Sequence, residues 1–209
     1  MTYRVLGIGV GMVIIGLVII GLAPIGAQAG EVFGGIYKHD MSFVRDIFGA
    51  EEKIYETGED FELGWQSEKI ESWDLLKHPS LYVMTQINDS GNTNQADIGL
   101  TWKSRPFPAK KFYIRPSFGL AIHDGRLSIP DPYEPGISQE ERNRRLGLAM
   151  EPKNEYASRV LFNPQFGIGY DISERASVEI SWVHISHGGL AEDTNQGQDN
   201  LGVRFNYRY

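Results

Sequence analysis

The chain has 209 residues, a formal net charge of −7, and 41% hydrophobic and 11% aromatic residues. An acidic chain without a basic run lacks the clustered cationic face that grips a phosphate backbone, which excludes nucleic acid as a partner. The absence of cysteine removes disulfides, thiolate metal sites and cysteine nucleophiles, and the apolar content is too high for a disordered chain.

The first element is a leader. Val5 to Ile25 carry no charge, follow Arg4 and precede Ala27-Gln28-Ala29. A basic start, an apolar run and a small-residue site predict a secretory signal over residues 1–29, cut after Ala29. A retained helical anchor is the competing reading, because the run reaches the roughly 20 residues that span a bilayer. Cleavage leaves residues 30–209 as one domain outside the cytoplasm.

Beyond residue 30 the pattern is alternation with period two, which marks β-strands with two chemically different faces. The first candidate is EVFGGIYKHD at 31–40, followed by a strand carrying Phe61, Leu63 and Trp65, one from Leu81 to Asn88, and one carrying Ile98, Leu100 and Trp102. Phe112, Ile114, Phe118, Leu120 and Ile122 then alternate with Tyr113, Arg115, Ser117 and His123. Phe162, Phe166, Ile168, Tyr170 and Ile172 share one parity, and Ala176, Val178, Ile180 and Trp182 alternate with Ser177, Glu179 and Ser181. The last strand, LGVRFNYRY, sets Leu201, Val203, Phe205, Tyr207 and Tyr209 against Gly202, Arg204, Asn206 and Arg208.

Eight strands with aromatics on the apolar parity and charges on the other predict an all-β fold, an eight-stranded antiparallel outer-membrane β-barrel, which places the protein in the bacterial cell outer membrane. A soluble eight-stranded barrel or sandwich is the alternative. Glycines 34, 35, 99, 119, 167, 169 and 202 agree with a crowded, tightly curved interior. Arg115, Arg204, Arg208 and Glu179 on the polar parity predict an ion-paired lumen.

Known outer-membrane barrels keep the C-terminus in the periplasm, which puts the joint between the last two strands outside the cell. The long connection from Asp124 to about Ser158 is then also external, and Ser138 with Glu141 forms a capping-box pattern ahead of a helix there. SER at 173–175 suits a short periplasmic turn. Residues 67–79, SEKIESWDLLKHP, are unusually long for that side.

Chemistry concentrates at the last hairpin. His184 and Ser186 are two apart on a strand and present an imidazole and a hydroxyl on one face. An adjacent imidazole is the usual means of activating a serine, and a carboxylate usually holds the imidazole in its tautomer. Asp199 opens the next strand and faces back across the hairpin. All three share the apolar parity, so in a barrel they meet lipid, and the expected substrate is a lipid of the outer leaflet.

The stretch HISHGGLAEDTNQGQDNLGVRFNYRY resembles the C-terminal motif of the PagL-type lipid A 3-O-deacylases (acyloxyacyl hydrolases), in which H-x-S-N-x-G-L is followed by N-x-G-x-E/D and a final strand. The resemblance implies a barrel esterase that removes an ester-linked 3-hydroxyacyl chain from the lipid A of lipopolysaccharide. It implies His184 as general base, Ser186 as nucleophile and Asp199 as orienting acid, with Gly189 and Asn195 as the oxyanion hole. No cofactor and no metal are implied, and a homodimer is left open. This chain departs in carrying His187 where asparagine is frequent, a spacer one residue longer between Leu190 and Asn195, and an aspartate in place of glutamate. The other function class is a non-enzymatic small barrel, structural, adhesive or pore-like.

Overall fold

The computed structural model describes residues 30–41, 55–190 and 197–209. The leader expected over residues 1–29 lies outside them. Eight antiparallel strands close into a barrel: β1 (Glu31–Lys38), β2 (Glu59–Lys69), β3 (Ser80–Asn88), β4 (Gln95–Thr101), β5 (Phe112–His123), β6 (Val160–Asp171), β7 (Ala176–Ile185) and β8 (Gln198–Arg208). Each strand pairs with its sequence neighbour, and β1 pairs with β8, so no edge is left unpaired.

The distribution of polarity is the reverse of a soluble barrel. Ile36, Phe61, Ile98, Phe118, Ile168, Val203 and Phe205 point outward and are half exposed, with Ile180 reaching 63%. The inward positions hold many charges and amides, with Phe33, Tyr37, Tyr82 and Met84 packed among them. The Arg204 guanidinium grips both oxygens of Glu62, Nε to Oε1 at 2.7 Å and one terminal nitrogen to Oε2 at 2.8 Å. Arg115 donates to Glu31 at 2.6 Å and lies 3.1 Å from Glu179. Buried charges are tolerated where they are paired and hydrogen-bonded, whereas an outer wall of this apolarity requires an apolar solvent. The bilayer is that solvent, and it rules out the soluble alternative.

Closure at this small diameter depends on missing side chains. Gly99 and Gly119 are register partners on β4 and β5, and a Cβ on Gly99 would lie 2.5 Å from the Gly119 Cα. Two sequence expectations shift. Gly34 has the outward parity of Val32 and Ile36, so interior crowding does not explain it. Arg208 is exposed at the mouth where β8 ends, 3.7 Å from Glu31, instead of closing the lumen.

The connections separate by side. Ile172 to Arg175 make a tight turn, and the long segment after β2 proves to be a folded connection: β2 continues through a bulge to Lys69, Ile70 N–H donates to Pro79 O, and a 3-10 turn covers Asp74–Leu76. The eight-strand count is therefore unaffected. On the opposite side, α1 (Gln139–Met150) starts at Ser138, whose hydroxyl accepts from Glu141 N–H at 3.1 Å. Within α1, Arg144 and Arg145 pair with Glu141, a solvated charged helix.

Candidate active site on the outer wall

β7 and β8 pair so that His184 lies directly opposite Asp199. That register sets the short aspartate beside the imidazole, with Nδ1 2.8 Å from Asp199 Oδ1. The other ring nitrogen, Nε2, is 2.9 Å from Ser186 Oγ. The partners assign the tautomer: Nδ1–H donates to the carboxylate and Nε2 accepts from the serine hydroxyl. In a hydroxyl, an imidazole and a carboxylate linked in this way, the imidazole can take the hydroxyl proton while the carboxylate holds the ring and balances its charge.

Each member is held by backbone as well. Ser186 follows the last residue of β7, and its N–H and C=O exchange hydrogen bonds with Phe162 on β6, at 3.1 and 2.8 Å. Asp199 C=O accepts from Met41 N–H at 2.6 Å. Its neighbours Gln198 and Asn200 turn inward, where Tyr156 donates to Gln198 and Asn200 donates to Asp60 and Gln86. A buried polar plug thus fixes the start of β8 from inside while Asp199 faces outward.

The loop after Ser186 turns at once. Gly188 and Gly189 have φ of 60° and 76°, and Leu190 N–H donates to His187 O at 3.1 Å. Two successive left-handed residues make a type I′ turn, which favours glycine at both positions. The second predicted oxyanion residue, Asn195, lies outside the described residues.

Two contacts were not read from the sequence. The Trp182 indole N–H donates to Asp199 Oδ1 at 2.8 Å, and its ring stacks on His184 with centroids 5.6 Å apart. Gly197, at φ 58°, backs onto the triad: a Cβ there would lie 3.3 Å from His184 Cε1 and 3.6 Å from Ser186 Cβ. Parity alone put Trp182 on the same face as His184, but its diagonal reach to Asp199 depends on the register.

The surface around Ser186 is apolar, with Phe162 stacked on Phe118 at 5.9 Å and Leu190 80% exposed. A cavity of about 370 Å³, lined by Glu31, Lys69, Lys103 and Arg208, lies at the other end of the barrel and takes no part in this site. A site on the lipid-facing wall needs no enclosed cavity, because the bilayer covers it.

The sequence profile of the family described as lipid A 3-O-deacylase (PagL) matches residues 59–208, from β2 to the end of β8. The chain belongs to this family. With that family and a closed barrel of apolar outer wall, the protein is a bacterial outer-membrane barrel. Among solved structures, the outer membrane enzyme PagL is similar with a TM-score of 0.54 at 12% identity, over 85% of this chain and 98% of that one. The N-terminal β-barrel domain of Pseudomonas aeruginosa OprF gives 0.44 at 12% identity, over 86% and 100% of the two chains. Neisserial surface protein A gives 0.44 at 7%, over 87% and 96%. At 12% identity the likeness to the outer membrane enzyme PagL is one of fold alone. No curated protein matches the chain.

Proposed function

We propose that this protein, as a lipid A 3-O-deacylase of the outer membrane, hydrolyses the ester that joins a 3-hydroxyacyl chain to a glucosamine of lipid A. The observation that carries the reading is the hydrogen-bonded line from Ser186 through His184 to Asp199 on the lipid-facing wall. A substrate drawn from the outer leaflet reaches that wall by lateral diffusion, with its acyl chain lying along Phe162 and Phe118.

In the proposed reaction Ser186 Oγ attacks the ester carbonyl carbon while its proton passes to His184 Nε2. Asp199 holds the imidazole in register and balances the imidazolium that forms. The oxyanion is taken by the Gly189 N–H and the Asn195 side chain; loss of one such donor typically costs on the order of 10² to 10³ in rate. Collapse breaks the ester bond, and His184 returns the proton to the departing sugar oxygen. Water then attacks the acyl-serine, again through His184, and releases the fatty acid and free Ser186. All three triad members come from one chain, so the reaction requires no second copy, and no cofactor enters any step. Residues 1–29 serve as the export leader on this reading, and the outer-membrane form begins at Gly30.

Mass spectrometry of lipid A from cells with and without the protein tests the reading. Loss of one hydroxyacyl chain supports it, and unchanged lipid A beside well-expressed, folded barrel refutes it.

A further inference from the structure

Asp199 is nearly buried, its side chain 3% exposed, on a wall that faces hydrocarbon. An ionised carboxylate in such surroundings is costly unless donors surround it. His184 supplies one at Oδ1, and Trp182 supplies another to the same oxygen, each at 2.8 Å. One carboxylate oxygen accommodates both, having two lone pairs.

The register explains how the indole gets there. Trp182 lies opposite Leu201, so Asp199 is its diagonal neighbour, within reach of a large side chain. Its ring also lies nearly parallel to the imidazole, at 27°. A tryptophan serving only as a membrane-interface anchor turns its N–H to headgroups or water. This one turns it to the acid of the triad.

We propose that Trp182 is a positioning residue of the deacylase: its N–H holds the Asp199 carboxylate toward His184, and its ring face holds the imidazole in plane. This deepens the triad reading and rests on it. The shorter acid gains from such support, since an aspartate swung toward Trp182 alone, or away from both donors, leaves the imidazole unoriented.

The test uses the full-length barrel, folded in detergent, with purified lipid A, and compares wild type, Ser186→Ala, Trp182→Phe, Asp199→Asn and the Trp182→Phe/Asp199→Asn double variant. Phenylalanine keeps a ring over His184 and removes the donor. The expected result for Trp182→Phe is a kcat about tenfold lower, the scale of one hydrogen bond to a charged group, with KM unchanged. In the Asp199→Asn background the same change is expected to alter kcat less than about twofold, because residues acting through one group are not additive.

Wild-type kcat in Trp182→Phe overturns the inference. An equal loss in both backgrounds, or a rise in KM alone, also overturns it, making Trp182 a wall for the acyl chain. Release retained in Ser186→Ala overturns the triad and this inference together, whereas release lost there beside an unaffected Trp182→Phe overturns this inference alone. If the phenylalanine variant does not fold, benzothienylalanine at position 182 keeps the bicyclic shape, lacks the N–H and is read by the same criteria.

Discussion

His184 and Asp199 are direct cross-strand partners, and that single register places the imidazole Nδ1 2.8 Å from the carboxylate. A shift of one residue would turn either side chain into the lumen and break the line to Ser186. Asp199→Asn keeps the shape but presents an amide that does not balance an imidazolium. The expected outcome is a fall in kcat on the order of 10³ to 10⁴ with the barrel still folded, measured by fatty-acid release from purified lipid A.

Gly197 tests how closely the chain behind the triad must pack. Alanine there meets His184 and takes a left-handed φ of 58°, which costs about 1 kcal/mol or more for a residue with a Cβ. Gly197→Ala is expected to lower kcat while leaving the heat-modifiable gel mobility of a folded barrel intact.

The lumen makes a separate prediction about stability. Arg204→Met removes the cation paired with Glu62 and leaves its buried carboxylate without a counter-charge, held by the Tyr37 hydroxyl and the Gln86 amide, which typically costs about 3 to 5 kcal/mol. Arg204→Met combined with Glu62→Met removes both charges and is expected to recover most of that loss. Urea unfolding in lipid vesicles measures both.

Just beyond the end of β1, His39 sits between Asp60 at 2.8 Å and Glu56 at 3.1 Å. Burial works against the imidazolium, but hydrogen bonds and charge from the two carboxylates outweigh it and raise the pKa from 6.5 to about 9. A raised folded pKa gives stability that is complete below pH 6.5 and is lost as pH climbs through about 9. For Glu56, burial again opposes, and the His39 and Thr93 hydrogen bonds prevail and lower its pKa. Its contribution is therefore present above pH 4.5 and fades as pH falls below that. Resistance to urea is expected to decline from pH 6.5 to beyond pH 9, and His39→Gln is expected to flatten that slope.

Much of this was legible from period-two alternation, because a bilayer inverts polarity and each strand of the barrel displays both faces. Phe118 against Ser117 and Val203 against Arg204 announce outside and inside without any knowledge of partners. The capping box at Ser138 likewise predicts a helix that forms. What alternation does not carry is position along the barrel: Arg208 has the luminal parity but lies at the mouth. Nor does it carry contacts across strands. Trp182 reads only as an outward aromatic until the β7 and β8 register brings it to Asp199, and nothing in the alternation brings Glu56 to His39, because Glu56 arrives from a connection. Asn195 keeps only its expectation from the resemblance.

The most direct test of the central claim is the lipid A of cells that express either the wild-type protein or Ser186→Ala at equal levels in the outer membrane. Mass spectrometry is expected to find one hydroxyacyl chain missing with the wild type and full acylation with the alanine variant. Lipid A that still loses the chain when position 186 has no hydroxyl would contradict the account.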